Sequence, residues 1–383
     1  MESSRSIELL TELVAYPSVS LSPNIALIHH VEGLLAANGI ASSIVTDESG
    51  TRANLFASVG PDDVPGIVLA GHTDVVPVEG QPWRTDPFKA QVIDGRIHGR
   101  GTADMKGFVA CAVNALIDAS HKTLVRPLQL ALSYDEEIGC VGVRRLLALL
   151  EQSLIPPMLC VVGEPTMMQI GTGHKGKAAY RAICRGEEGH SALAPKFANA
   201  IHAASDLIQA IRTTQAALAD GGIRDEDYDV PYSTLHVGRI AGGKALNIVP
   251  NECTLDFEIR SVVGDDADAI LGSVKQYMAQ CAAPASRMPA PEIEQVNAYP
   301  GLDTHPTSAA VRFIERVLPA NTGKTKVAFG TEGGLFQQHL KTPVVICGPG
   351  SIDVAHKRDE YVDVAQMHAC DTFLGSIVAS ICR

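Results

Sequence analysis

The sequence has no closely spaced pair of cysteines. Its nine thiols stand singly at Cys111, Cys140, Cys160, Cys184, Cys253, Cys281, Cys347, Cys370 and Cys382. An odd number without knuckle spacing excludes a disulfide frame and fits reduced, mostly buried thiols in a cytoplasmic protein. Positive charge is also short: the formal charge is −12, which repels nucleic acid and anionic membrane and leaves small molecules or proteins as partners. No apolar run approaches the length that spans a bilayer. The opening residues Met1-Glu2-Ser3-Ser4-Arg5 lead into an amphipathic pattern carrying acids, not the basic-then-apolar layout of a signal peptide. Repeats, low-complexity tracts and long linkers are absent as well.

What is present is a chain of 383 residues with an apolar fraction of 46%, ample for one large domain or more than one. Ile7, Leu10, Leu13 and Val14 recur at helical spacing and stop before Pro17, and 25–37 repeats the pattern up to Gly39. Short β-prone runs follow at 44–45, 54–59 and 66–70, the last almost continuously apolar, as in a sheet covered on both faces. A helix over 108–119, a strand over 128–133, a helix over 142–151 and a strand over 158–162 then alternate. Such alternation predicts a three-layer α/β domain with a mainly parallel sheet.

From about Lys177 the rhythm changes to strand 178–184, helix 198–218, strands 233–240 and 253–260, helix 266–280 and strand 292–298. This is the split βαβ order of a ferredoxin-like sandwich, a small α+β domain inserted in the larger one. After Pro300 the α/β pattern resumes with helix 307–317, strand 325–328, a glycine-rich turn at 330–334, strand 343–347 and a closing helix over 363–381. The expected organisation is therefore 1–176, an insert at 177–300, and 301–383, with the outer parts reuniting across the insert.

Chemistry concentrates where strands end. In Ile97-His98-Gly99-Arg100-Gly101-Thr102-Ala103-Asp104-Met105-Lys106-Gly107 a single carboxylate, Asp104, stands among glycines just before a helix; alone it could simply cap that helix. His72 and Asp74 are two apart at a strand end, a spacing that suits a metal-bound imidazole steadied by a carboxylate, or a histidine beside a turn-forming acid. Asp135-Glu136-Glu137 closes the strand 128–133, where α/β folds place ligands, although acids there also suit a solvated loop or the start of helix 142–151. Glu164 ends the strand 158–162, and His356 follows the strand 343–347. Two imidazoles and several carboxylates without cysteine form a nitrogen and oxygen ligand set for Zn²⁺, Co²⁺ or Mn²⁺. It suffices for two ions sharing one carboxylate with one acid left free, an arrangement that serves hydrolysis. Gly171-Thr172-Gly173-His174-Lys175-Gly176-Lys177 looks like a phosphate loop but opens no helix, so no phosphate site is expected there.

Gly71-His72-Thr73-Asp74-Val75-Val76-Pro77, the Gly99 to Gly107 segment, Asp135-Glu136-Glu137, Gly163-Glu164-Pro165-Thr166 and the His356 segment together resemble, in order and spacing, the M20 metallopeptidase family of dinuclear zinc amidohydrolases. The resemblance covers essentially the whole chain. It implies a zinc-peptidase-like catalytic domain, with the insert as a lid and homodimerisation domain. Two Zn²⁺, for which Co²⁺ substitutes, would be bridged by Asp104, with His72 and Glu164 completing one and Glu137 and His356 the other. Asp74 would support His72, and Glu136 would be the general base that later protonates the departing amine. A cis peptide at Asp104-Met105 is implied too.

The same resemblance implies that His190, in Glu188-Gly189-His190-Ser191-Ala192, polarises the scissile carbonyl, in its own subunit or across a dimer. The next segment, Ala194-Pro195-Lys196-Phe197-Ala198, departs from the smaller, glycine-containing family pattern. Asn247 and Arg260 match positions that hold a substrate carboxylate, for which the arginine fork is suited; an ion pair of Arg260 with Asp256 or Glu258 is the alternative. Glu332 in the glycine turn favours, by charge matching, an N-acyl amino acid carrying a distal ammonium, such as N-acetylornithine, over a succinylated substrate. It equally suits the first turn of a helix.

Overall fold

The computed structural model describes residues 4–281 and 288–383; residues 1–3 of the opening segment and the side chain of Cys281 lie outside that set. Contacts divide the chain into two compact units, one of Met1–Gly173, Leu302–Val327 and Thr331–Arg383, the other of His174–Gly301 and Ala328–Gly330.

In the first unit a nine-stranded sheet runs in the order Ser42–Thr46, Ala53–Val59, Leu128–Ser133, Ile67–His72, Leu159–Pro165, Val344–Gly348, Ile170–His174 and Leu302–Asp303, with Lys324–Val327 also pairing Ile170–His174. The four strands from Leu128–Ser133 to Val344–Gly348 are mutually parallel and wholly buried. Strands covered on both faces read as unbroken apolar runs, which is why the sequence marks them. The flanking pairings are antiparallel, so the sheet is mixed at its sides. The cause on one side is chain length: Thr46 and Ala53 are register partners, and the link between them permits a hairpin but no crossover.

Helix Gly107–Ser120 reads apolar on nearly all sides and is buried accordingly. It packs against Arg5–Val14 and Val364–Ser380, forming a helical layer beside the sheet. A turn of π-helix, Thr102–Lys106, precedes it and contains a cis Asp104–Met105 peptide. The residue before the helix is Lys106, which makes no side-chain cap, so Asp104 does not serve the helix as a cap. A further three-stranded sheet of Tyr361–Asp363, Arg96–His98 and Gln91–Ile93 has no counterpart in the sequence reading. Strands of three residues are too short to leave a periodic signal, and Gln91–Ile93 exposes both Val92 and Ile93.

The second unit is a four-stranded antiparallel sheet in the order Thr234–Gly242, Glu252–Ser261, Gly176–Arg185 and Glu292–Tyr299. Helices Ala200–Gly221 and Ala267–Cys281 pack on it and on each other, giving the ferredoxin-like order. Residues of Gly176–Arg185 alternate between buried and less buried, the period of a sheet covered on one face. Asn199 caps the first helix by accepting from the backbone N–H groups of Ile201 and His202. Gly171 to Lys177 forms parts of two strands, in line with the absence of a phosphate loop. Among the described residues no helix is long and apolar enough to cross a membrane.

Candidate metal centre

The carboxyl ends of the parallel strands deliver the first donors. His72 closes its strand, in register with Ser133, and its Nδ1 lies 2.9 Å from the carbonyl oxygen of Asp74. A proton donated there leaves the Nε2 lone pair pointing inward, the tautomer a metal ligand needs. The Asp74 carboxylate, expected to support His72, stands 3.5 Å from the same Nδ1. It does other work, accepting the backbone N–H of Glu136 at 3.0 Å and of Glu137 at 3.4 Å. One buried acid thus holds the loop that carries two others.

Asp104 lies between the imidazoles. Its Oδ1 is 3.1 Å from His72 Nε2 and its Oδ2 is 3.2 Å from His356 Nε2. His72 Nε2 also lies 3.7 Å from Glu164 Oε1, and His356 Nε2 lies 3.0 Å from Glu137 Oε2. Ligand atoms of His72, Asp104 and Glu137, and likewise of His72, Glu136 and Glu164, fall within 4.8 Å of one another. Of the acid triplet only Asp135 turns away. Its backbone is left-handed at φ 53, and its carboxylate accepts the Leu21 N–H at 2.7 Å and pairs with Arg52.

Burial and mutual repulsion govern the charges. Burial pushes the Glu164 carboxyl well above the usual range, and neighbouring Asp104 adds to it. Burial does the same to Glu137, raised to about 7, again with Asp104 contributing. Glu136 is also pushed well up by burial, with Glu137 and Glu332 reinforcing it against the opposing pull of His72. Asp104 goes the other way: burial opposes it, but His356 and His72 together hold its carboxyl below the usual range. His356 is raised to about 10 by hydrogen bonds to Asp104 and Glu137. Four carboxylates crowded against two imidazoles lack counter-charge, which divalent cations supply, and the all-nitrogen-and-oxygen donor set fits Zn²⁺ or Co²⁺. The residues therefore fit a divalent metal centre, in which the two oxygens of Asp104 face different imidazoles.

Glu332 precedes helix Gly333–Leu340 without capping it. The residue is buried, 2% exposed. Burial lifts its carboxyl to about 7 against the opposing influence of Ser133, and among the described residues its Oε1 has no hydrogen-bond partner. Within the other compact unit, His190 is exposed and its Nδ1 accepts the Ala192 N–H at 3.1 Å. Asn247 is exposed and its carbonyl accepts the Ser191 N–H at 3.1 Å. Arg260 donates from Nε to Glu258 Oε1 at 2.9 Å and from Nη1 to the Tyr299 hydroxyl at 3.2 Å, so the ion-pair alternative is realised and part of its fork is engaged. Gln81, Arg100 and Glu360 carry no expected role in the sequence. Arg100 and Glu360 are both about 1% exposed, and their only trace in the sequence is a charge of each sign beside a motif.

The family described as Peptidase family M20/M25/M40 matches residues 68–380. An acetylornithine deacetylase of Myxococcus xanthus is 33% identical over 381 residues, covering 97% of this chain and 96% of its own. An acetylornithine deacetylase of Klebsiella pneumoniae is 32% identical over 391 residues, covering 98% and 97%. Among solved structures, an M20 family metallo-carboxypeptidase of Sulfolobus solfataricus aligns with a TM-score of 0.79 at 17% identity, covering 98% of this chain and 99% of its own. The aminopeptidase PepT of Bacillus cereus aligns with a TM-score of 0.75 at 20% identity, covering 98% of each chain. These last two likenesses concern the fold.

Proposed function

The chain belongs to peptidase family M20/M25/M40, and from that we propose that it is a metal-dependent hydrolase that cleaves N2-acetyl-L-ornithine to ornithine and acetate. The observation that carries the reading is the divided carboxylate of Asp104, one oxygen toward His72 and the other toward His356. The names of the relatives at about a third identity support the choice of substrate.

In this proposal His72 and Glu164 hold one ion, Glu137 and His356 the other, and Asp104 both; Zn²⁺ is the expected metal and Co²⁺ its substitute. Bound divalent ions supply Lewis acidity, which polarises the acyl carbonyl and makes a water more acidic. Glu136 takes a proton from that water as its oxygen bonds to the acyl carbon. When the carbon–nitrogen bond breaks, Glu136 hands the proton to the departing nitrogen, leaving a carboxylic acid and an amine. A carboxyl whose affinity for protons is raised by burial suits both halves of that transfer. Asp74 steadies this base by holding its backbone N–H.

Glu332 is proposed to accept the substrate ammonium through its Oε1, which has no hydrogen-bond partner among the described residues. The roles of His190, Asn247 and Arg260 in binding and polarising the substrate belong to the same proposal, as does a homodimer formed through the inserted unit. Turnover of N-acetylornithine, neutral N-acetyl amino acids and N-succinyl-diaminopimelate by the zinc-loaded protein tests the substrate. N-acetylornithine is expected to have the highest kcat/KM, and a preference for the succinyl compound overturns the assignment.

A further inference from the structure

We propose that Gln81 is a positioning residue for the metal centre. Through the buried Arg100–Glu360 pair it ties the backbone of His356 to the backbone of Asp104, so that the second ion depends on it. The inference rests on the metal-dependent reading above.

The chain of contacts is continuous. Glu360 Oε1 accepts the backbone N–H groups of Ala103 at 2.9 Å and Asp104 at 3.1 Å. Glu360 Oε2 accepts from Arg100 Nη1 at 2.6 Å, and Arg100 Nη2 donates to Gln81 Oε1 at 2.7 Å. Gln81 Nε2 in turn donates to the carbonyl oxygen of His356 at 2.9 Å. Trp83 closes the assembly, its Nε1 donating to Gln81 Oε1 at 3.2 Å and its ring lying 5.0 Å from the Arg100 guanidinium carbon. An amide is suited to this junction, because it accepts from the guanidinium with one atom and donates to a carbonyl with the other.

The far end of the chain of contacts is a segment that needs holding. His356 and Asp359 both have left-handed backbones, φ 61 and 57, a conformation that residues with a Cβ adopt only when their surroundings impose it. The loop following Pro77 imposes it twice. Gln81 holds His356, and the Arg84 N–H donates to Asp359 Oδ1 at 2.8 Å. Arg100 adds a bond from Nη1 to the Lys357 carbonyl at 3.3 Å. The imidazole of His356 is itself about half exposed, so little packing fixes it. The His72 side needs no such device, because that residue is itself fully buried at the end of a buried strand.

Gln81→Glu separates the parts of this device. A glutamate still accepts from Arg100 but presents a lone pair to the His356 carbonyl where the wild type presents a donor. Binding of Co²⁺ alone to the purified chain is read by its visible absorption and by competition with a chelator. The unsubstituted chain is expected to take two ions. In Gln81→Glu one of the two is expected to bind about 10- to 100-fold more weakly, as when partners outside the ligand set are removed, with the other affinity and the melting temperature of the metal-free chain unchanged. Gln81→Leu, which lacks the donor without adding charge, is expected to do the same and serves if the glutamate variant does not fold. Two unchanged affinities, or an equal fall in both, overturn the positioning role while leaving the metal reading intact. Failure of the unsubstituted chain to bind Co²⁺ overturns both.

Discussion

Ser20 donates its hydroxyl to Asp74 Oδ2 at 2.7 Å. The contact joins a loop near the start of the chain to the acid that holds the Glu136 and Glu137 backbones. Ser20→Ala removes one acceptor bond from Asp74 and leaves two, a loss of about 1 kcal/mol. The expected result is a roughly fivefold fall in kcat/KM for N-acetylornithine. Asp74→Ala removes every bond at once and is expected to weaken metal binding about 10- to 100-fold, measured by chelator competition.

Glu136 is the acid that the proposed mechanism leaves free to move a proton. Glu136→Gln keeps its shape and abolishes its basicity. Hydrolysis is expected to fall by about 10²- to 10⁴-fold, while zinc content by elemental analysis stays at the wild-type value. Unchanged turnover would remove Glu136 from the mechanism; lost zinc would make it a ligand instead.

His174 offers a pH prediction away from the metal centre. The residue is fully buried and its Nε2 has no partner among the described residues. Burial lowers its pKa to about 4, against the opposing bond to the Lys175 carbonyl and with help from Arg260. The unfolded chain, titrating at 6.5, therefore binds more protons than the folded chain between these values, and stability must fall as pH falls from 6.5 toward 4. In His174→Gln that contribution disappears. Denaturant unfolding at pH 7 and pH 4 should show the variant losing about 3 kcal/mol less than the wild type between the two.

Glu332→Gln tests the charge-matching argument. A neutral amide of the same size is expected to reduce kcat/KM for N-acetylornithine relative to a neutral N-acetyl amino acid by about tenfold, the worth of about 1.4 kcal/mol of lost charge recognition. An unchanged ratio would assign the carboxylate to its surroundings, Ser133 and Glu136, and not to the substrate.

Most of the scaffold was legible in the sequence because burial on two faces and burial on one face write different periods. The parallel strands that carry His72 and Glu164 or lead into Glu136 and Glu137 stand out as apolar runs, and the inserted unit as alternation interrupted by two helices. The candidate donors His72, Glu137, Glu164 and His356 were legible for a related reason, since each stands at or after the carboxyl end of such a run. Besides the three-stranded sheet, other features were not. Asp135 reads like its two neighbours, and only its left-handed backbone separates it from them. The hairpin at Ser42–Thr46 looks like any other strand until the length of its link is weighed. The Arg100–Glu360 pair joins residues 260 positions apart, and a buried pair leaves no periodic mark.

A backbone contact beneath the centre limits how this region can change. A Cβ added at Gly348 would meet the Gly163 carbonyl oxygen at 1.9 Å, and one added at Gly163 would meet the Phe108 ring at 1.8 Å. Two adjacent strands therefore touch backbone to backbone, with the Phe108 ring of the helix seated directly on one of them, and Glu164 and the segment leading to His356 issue from that touching point. Loops grafted after Gly348 to alter specificity would inherit a rigid anchorage, whereas any substitution at the anchorage itself would disturb both halves of the ligand set together.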